Sequence, residues 1–319
     1  MIARRTLLGS AIALPALAQA PWQPTRPLKL VIPLAPGGTA DTLGRIVAEP
    51  LGAALGQPVI IENRPGGGTS IAAIAVARAP ADGHTLLYAV PSVQILNPHL
   101  MRNMPYDAAA DFTPVIALMR APKLLVVRSD LPAQDVASLI ALAKARPGAL
   151  TYASSGVNSS GHLAGAMFAQ MAGIDMLHVP FRGTAPAMQE LIAGRVDMSF
   201  DTIVTLLPLV REGRMRALAV STDTPAAAAP ELPTIAATLP GFQDASFNYL
   251  LAAARTPQPA IDRLNAEINT ILASPAVRAR FVGLGVEPLG GTPTALASEI
   301  TSESARWKRV IDAGGLQVE

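Results

Sequence analysis

The chain alternates short apolar runs with longer amphipathic segments. Apolar runs at 28–34, 59–62 and 85–89 predict strands, and periodic segments at 41–55 and 69–78 predict helices. Turns rich in glycine and proline separate several of these segments. This alternation is typical of a mostly parallel sheet that is covered by helices on both faces.

The same order of strand, small-residue loop and helix recurs from residue 150 onward. Strands are predicted at 150–153, 177–179 and 196–200, and helices are predicted to begin near Ser160 and Ala185. The repetition predicts two similar α/β lobes with a ligand cleft between them. A single continuous, doubly wound sheet is the alternative that the pattern also allows.

Two further strand-like runs, 123–127 and 216–220, lie at the two ends of the second repeat. If both runs cross between lobes, lobe 2 is an insertion and the C-terminal segment returns to lobe 1. We therefore expect lobe 1 to comprise residues 21–122 plus 221–319, and lobe 2 to comprise residues 123–220.

Residues 1–20 have the pattern of a secretory signal peptide. Arg4 and Arg5 supply positive charge, 7–17 is an apolar stretch too short to span a bilayer, and Ala18-Gln19-Ala20 resembles a cleavage site. The adjacent arginines are compatible with the twin-arginine route as well as the Sec route. We expect export to the periplasm by one of the two.

Composition excludes several classes of protein. The chain has no cysteine, which rules out disulfides, thiolate nucleophiles and cysteine metal sites. Its net charge of +2 falls to zero once the two signal arginines are removed, and only 4% of residues are aromatic, so a nucleic-acid partner is not expected. No metal or cofactor is predicted, because the histidines lack the spacing of metal ligands; they are His84, His99, His162 and His178.

The loop Pro36-Gly37-Gly38-Thr39-Ala40-Asp41 lies between a predicted strand and a predicted helix. Its glycines let a ligand approach the backbone closely, and free amides at the start of a helix favour an anion. The loop matches neither the dinucleotide-binding fingerprint nor the Walker loop. An ordinary tight turn, with Asp41 as the N-cap of the helix, is the other interpretation.

A second polar loop, 154–162, concentrates hydroxyl and amide groups before the next helix. Ser154 close to His162 is compatible with a hydrolase, but G-x-S-x-G is absent and His162 has no evident acidic partner. Hydroxyl and amide donors suit a ligand carboxylate better than attack on an ester. We therefore predict no catalytic residue.

Two charged residues follow predicted strands of the second repeat. Arg182 is placed to present its planar guanidinium to a carboxylate, and Asp201 is placed at the strand end where ligands gather in open α/β sheets. A solvated loop arginine and a helix cap are the alternative interpretations.

Several long motifs follow one another in a recognisable order. They are PLAPGGTADTLGR at 33–45, IENRPGGG at 61–68, DGHTLL at 82–87, PYDAAADFTPV at 105–115, YASSG at 152–156, HVPFRGTAPAMQELIAGRVDMSF at 178–200 and MRALAV at 215–220. Over nearly the whole chain after the signal, this order resembles the Bug-type, TctC-like substrate-binding proteins of tripartite tricarboxylate transporters.

The resemblance implies a two-lobed periplasmic binding protein of type II-like architecture, monomeric and without enzymatic activity. Such a protein closes over a small carboxylate ligand and delivers it to membrane permease subunits. A hydrolytic α/β enzyme and a ligand sensor that works without a transporter are the alternatives. The ligand contacts implied by motif are Pro36, Gly37, Gly38, Thr39, Asp41, Ser154, Ser155, Gly156, Ser159, Arg182, Gly183 and Asp201.

The chain departs from the family pattern at three places. Phe247-Asn248-Tyr249 stands where the family commonly shows a tryptophan, an aromatic residue and a glycine. Asn158 replaces the usual glycine before the serine of the second loop. Ala253 and Arg255 replace the proline and glycine of a turn that approaches the cleft in relatives. The resemblance therefore implies that this turn, and with it the ligand choice, is where the cleft can differ.

Overall fold

The computed structural model describes residues 22–314, so the predicted signal peptide lies outside the described residues. The strands in this range are β1 Leu28–Ile32, β2 Val59–Asn63, β3 Thr85–Ala89, β4 Phe112–Arg128, β5 Thr151–Ser154, β6 Leu177–Pro180, β7 Met198–Thr202, β8 Met215–Val220, β9 Ala245–Ala253 and β10 Glu287–Gly290. The α-helices in this range are α1 Thr39–Leu55, α2 Ser70–Ala77, α3 Asn97–Leu100, α4 Val136–Ala145, α5 Ser160–Ala172, α6 Thr184–Ile192, α7 Ile203–Arg211, α8 Gln258–Ala273, α9 Pro275–Gly283 and α10 Pro293–Gly314.

Each half of the fold contains a parallel triplet of strands. β1 pairs in parallel with β2 and β3, and β5 pairs in parallel with β6 and β7. α1 connects β1 to β2, and α5 connects β5 to β6. These crossovers put the loops after β1 and β5 at the carboxyl ends of the strands, where ligands bind in open α/β sheets. The prediction of two α/β repeats is confirmed.

One long strand, β4, joins the two halves. Its residues 112–122 pair with β9 and its residues 123–127 pair with β7, while β10 and β8 pair with the first and second part respectively. All four pairings are antiparallel, so the sheet is mixed at its centre rather than mostly parallel. The reason is connectivity: the chain leaves the first half along β4 and returns beside it along β9, in the opposite direction.

The turn after β9 includes Arg255, one of the departures that the resemblance implies. Arg255 has a φ of 64°, in the left-handed region that glycine adopts without steric cost. Thr256 Oγ1 donates to the carbonyl of Ala253 at 2.7 Å and fixes the turn. The turn therefore has a backbone conformation that favours glycine, with an arginine in that position.

Two apolar clusters hold the layers together. The larger fills the first half and continues under α6 and α7, and the smaller lies under α4 and α5. β4 contributes to both, because alternate residues point to opposite faces: Leu124 and Val126 join the larger cluster, and Leu125 and Val127 join the smaller. Each fully buried side chain of this size stabilises the fold by about 1.5–3 kcal/mol.

A buried ion pair lies where β4 changes its pairing partners. Lys123 Nζ is 2.5 Å from Asp244 Oδ2, and the two side chains are 1% and 0% exposed. Ser221, directly after β8, accepts a hydrogen bond from Lys123 N at 2.9 Å and donates one to the carbonyl of Asp244 at 2.6 Å. These three residues connect β4, the end of β8 and the start of β9, the segments through which the chain passes between the halves.

Candidate functional site

A cavity of about 430 Å³ lies between the two halves, at the carboxyl ends of strands from both triplets. This volume is within the range of small-molecule sites, about 300–1,000 Å³. Loops after β1, β2 and β3 form one wall, and loops after β5, β6 and β7 form the other. Ser246 and Asn248 of β9 also line it.

The predicted contact residues divide into two groups. Those that line the cavity are Thr39, Ser155, Gly156, Ser159, Arg182 and Asp201. Those that lie outside its lining are Pro36, Gly37, Gly38, Asp41, Ser154 and Gly183. The first group comes from both halves, so the structure brings together loops that are far apart in the sequence.

Asp41 supports the loop after β1 from within. Its carboxylate accepts a hydrogen bond from Gly37 N at 3.1 Å and two from Arg45, at 3.1 and 3.0 Å. Burial alone would raise the pKa of Asp41, but these hydrogen bonds bring it below its ordinary value. The N-cap of α1 is Gly38, so the interpretation of Asp41 as the N-cap is wrong. Asp41 instead holds the glycine turn in place.

The loops of the two halves touch beside the cavity. A Cβ atom added to Gly183 would stand 3.2 Å from Ala35 N and 3.0 Å from Ala35 Cβ. A Cβ added to Gly38 would meet Thr184 at 3.7 Å. Ser92 Oγ of the first half also donates to the carbonyl of Asn158 in the second half, at 2.8 Å. The cleft is therefore closed in this structure, and the absence of a side chain at Gly183 permits the closest of these contacts.

Asp201 belongs to a hydroxyl-rich network at the cavity wall. Its carboxylate accepts hydrogen bonds from Thr184 Oγ1 and Thr202 N, both at 2.7 Å. The Thr39 hydroxyl reaches across the cleft to the hydroxyls of Thr202 and, at 3.0 Å, Thr205. Burial raises the pKa of Asp201 above its ordinary value, and the hydrogen bonds only partly oppose that rise.

Part of the cavity lining is not among the contacts predicted from the sequence. The turn after β2 lines the cavity, and Gly66, Gly67, Gly68 and Thr69 all have positive φ. Its three consecutive glycines after a predicted strand are the signal that could have identified it. In β9, Ser246 and Asn248 are two residues apart in an otherwise apolar run, which places both on one face. This alternation of polar and apolar residues is the signal that could have identified Ser246 and Asn248.

Comparison with known proteins identifies the family. The tripartite tricarboxylate transporter family receptor profile matches residues 43–316. The chain belongs to this receptor family. The resemblance seen in the sequence is thereby confirmed.

Three solved structures are similar to this receptor over their whole length. Rpa4515 from R. palustris, with adipate, is 38% identical with a TM-score of 0.90, and the match covers 92% of this chain and 99% of that one. The periplasmic binding protein BugD is 29% identical, with a TM-score of 0.89 and coverages of 93% and 100%. MatC (Rpa3494) from Rhodopseudomonas palustris, with bound malate, is 34% identical, with a TM-score of 0.86 and coverages of 90% and 99%.

The receptor is therefore a solute-binding protein with the two-lobed α/β fold of periplasmic binding proteins, and not an enzyme. Among residues 22–314, no helix is long and apolar enough to cross a membrane. Within the same range, no three metal-ligating side chains are grouped closely enough to hold an ion.

Ser154 has a histidine partner in this receptor, but it is not the one that the sequence suggested. Ser154 Oγ is 2.7 Å from His178 Nε2, whereas His162 Nδ1 accepts a hydrogen bond from Asn158 N at 3.2 Å. The two imidazoles stack with their ring centroids 3.9 Å apart, and His178 also packs against Tyr152. Burial lowers the pKa of His162 to about 4. Burial, together with the charge of His162, lowers that of His178 to about 3.

We expect acid to destabilise the receptor through this stacked pair. An unfolded chain protonates both imidazoles below about pH 6.5, whereas the folded chain protonates them only near pH 4 and 3. Unfolding therefore takes up protons between these values, and each imidazole lowers the free energy of unfolding by roughly 1.4 kcal/mol per pH unit. Urea unfolding at pH 7 and pH 5 measures this loss. The double variant His162→Gln/His178→Gln should lose much less, and an equal loss in both proteins would contradict the assignment.

Proposed function

We propose that this receptor captures a small carboxylate in the cleft and delivers it to the membrane subunits of a tripartite transporter. The observation that carries the proposal is the cavity enclosed between the two halves, with hydroxyl groups on both walls. Thr39 and Ser92 belong to the first half, and Ser159 and Thr202 to the second. Hydroxyl and amide donors of this kind bind a carboxylate without the cost of burying an unpaired charge.

The similar structures support this proposal. Rpa4515 carries adipate and MatC carries malate, and both are carboxylates. Arg182 contributes a guanidinium at the exposed part of the lining, where it can pair with a carboxylate from the solvent side.

We further propose that the lobes divide where β4 changes partners, giving lobe 1 as 21–122 plus 221–319 and lobe 2 as 123–220. Predicted contacts outside the lining, such as Gly183 and Asp41, then act by closing the cleft and by shaping its loops. The chain would be exported after removal of residues 1–20 and would work as a monomer in the periplasm.

A thermal-shift screen tests the proposal. Mature protein is heated with mono-, di- and tricarboxylates and, as controls, with the uncharged amides of the same acids. A ligand at a hundredfold excess over its dissociation constant should stabilise the folded state by about 2.7 kcal/mol. We expect at least one carboxylate to raise the melting temperature while its amide does not. Equal shifts from acid and amide, or no shift from any acid, would contradict carboxylate capture.

A further inference from the structure

The cavity changes in character from its buried end to its opening. Ser246 and Asn248, two residues apart on one face of β9, are 3% and 4% exposed, and their polar side chains line the buried end. At the opening, Ile71 is 51% exposed and Val157 is 41% exposed, although both line the cavity. A ligand that fills the cavity therefore meets polar groups at the buried end and, at the opening, two aliphatic side chains as well as the exposed Arg182.

Ile71 and Val157 form the two lips of this opening. Ile71 lies in α2, and its side chain covers the glycine turn: a Cβ atom on Gly66 would stand 2.9 Å from Ile71 Cδ1. Val157 lies in the loop after β5, and its carbonyl oxygen is 3.7 Å from where a Cβ of Gly68 would be. The glycine turn thus lies between the side chain of Ile71 in the first half and the backbone of Val157 in the second half.

The size of the cavity exceeds that of a compact diacid. Its volume of about 430 Å³ is within the range of about 300–1,000 Å³ for pockets that hold drug-sized ligands, which are larger than a four-carbon diacid. A short ligand held at the buried end leaves the aliphatic lips in water. A longer chain covers them.

We propose that Ile71 and Val157 are specificity-determining residues that select carboxylates with an extended aliphatic chain. In this assignment, one carboxylate binds at the buried polar end and the carbon chain runs outward between the two lips. Straight-chain diacids of six and eight carbons bind more tightly than the four-carbon diacid. The assignment rests on the proposed function, because it requires that the cavity bind a carboxylate.

Calorimetric titration with succinate, adipate and suberate tests the assignment. The variants are Ile71→Ser and Val157→Ser. The matched controls are Ile60→Ser and Val282→Ser, since Ile60 and Val282 are 51% and 54% exposed and do not line the cavity. Wild type and controls should gain about two- to fourfold in affinity for each added methylene. In Ile71→Ser and Val157→Ser this gain should shrink, while succinate affinity stays within about twofold of wild type.

The outcomes separate this assignment from the proposed function. Equal affinity of wild type for all three diacids would overturn the assignment. An equal gain in affinity for each added methylene in Ile71→Ser and in Ile60→Ser would also overturn the assignment. If none of the three diacids binds while other carboxylates raise the melting temperature, the chain-length assignment is wrong but carboxylate capture is supported. If no carboxylate of any kind binds, both the assignment and the proposed function are wrong.

Discussion

Replacing Gly183 by alanine should weaken ligand binding by more than about tenfold, or 1.4 kcal/mol, while the protein remains folded. The new methyl group would stand 3.0–3.2 Å from Ala35 N and Cβ across the cleft, closer than such atoms normally approach. Backbone atoms cannot rotate away as a flexible side chain can. The two loops must therefore separate, and the closed form, in which both walls of the cavity contact the ligand, becomes less populated.

Gly194→Ala is the matched control for this prediction. Gly183 has φ of 137° and Gly194 has φ of 74°, so alanine strains the backbone at both positions. Gly194 has no atom within 4 Å of an added Cβ, however, and lies at the other end of the same helix, α6. Both variants should lose stability in urea, by about 1–3 kcal/mol. Only Gly183→Ala should lose affinity in calorimetry; wild-type affinity in that variant would contradict closure through this contact.

Replacing Lys123 by methionine should produce the largest loss of stability, about 3–5 kcal/mol. The substitution leaves the carboxylate of Asp244 buried without its cation, and a buried, unpaired charge is far more costly than an exposed one. Because the pair connects the segments that pass between the halves, the loss should appear as a lower free energy of unfolding of the whole protein in urea.

Two comparisons isolate the buried charge as the cause. Lys308→Met removes a cation from an ion pair with Asp312 whose side chains are 57% and 60% exposed, and it should leave the urea midpoint nearly unchanged. The double variant Lys123→Met/Asp244→Leu removes both buried charges and should recover most of the stability. If Lys123→Met unfolds at the wild-type urea concentration, the ion pair contributes nothing and the assignment is wrong.

Local pattern explains how much of the fold could be predicted. The strand–loop–helix units around β1 and β5 can be predicted from the sequence, because their apolar periodicity and glycine-rich turns lie within short windows. The position of β9 between β3 and β4 could not be predicted from the sequence, because it depends on pairing between residues far apart in the chain. Its apolar run by itself does not indicate which strands lie beside it.

In the candidate site, too, some features could be predicted from the sequence and others depend on tertiary packing. The rule that ligands gather at strand ends predicts Asp201 at the cavity, and the resemblance to the family predicts Thr39 and Ser159 there. The role of Asp41 within its own loop, and the contact of Ser154 with His178 rather than His162, depend on side-chain geometry that no spacing rule contains. Loop position can thus be inferred from sequence, whereas the direction of each side chain requires the packed structure.

A crystal structure of the mature protein grown with adipate would test whether a carboxylate binds between the two halves. We expect adipate in the cavity between the halves, with one carboxylate at the buried end near Ser246 and Asn248, and the Gly183–Ala35 contact closed over it. Adipate bound outside this cavity, or an empty cavity in crystals saturated with a diacid that raises the melting temperature, would contradict the account.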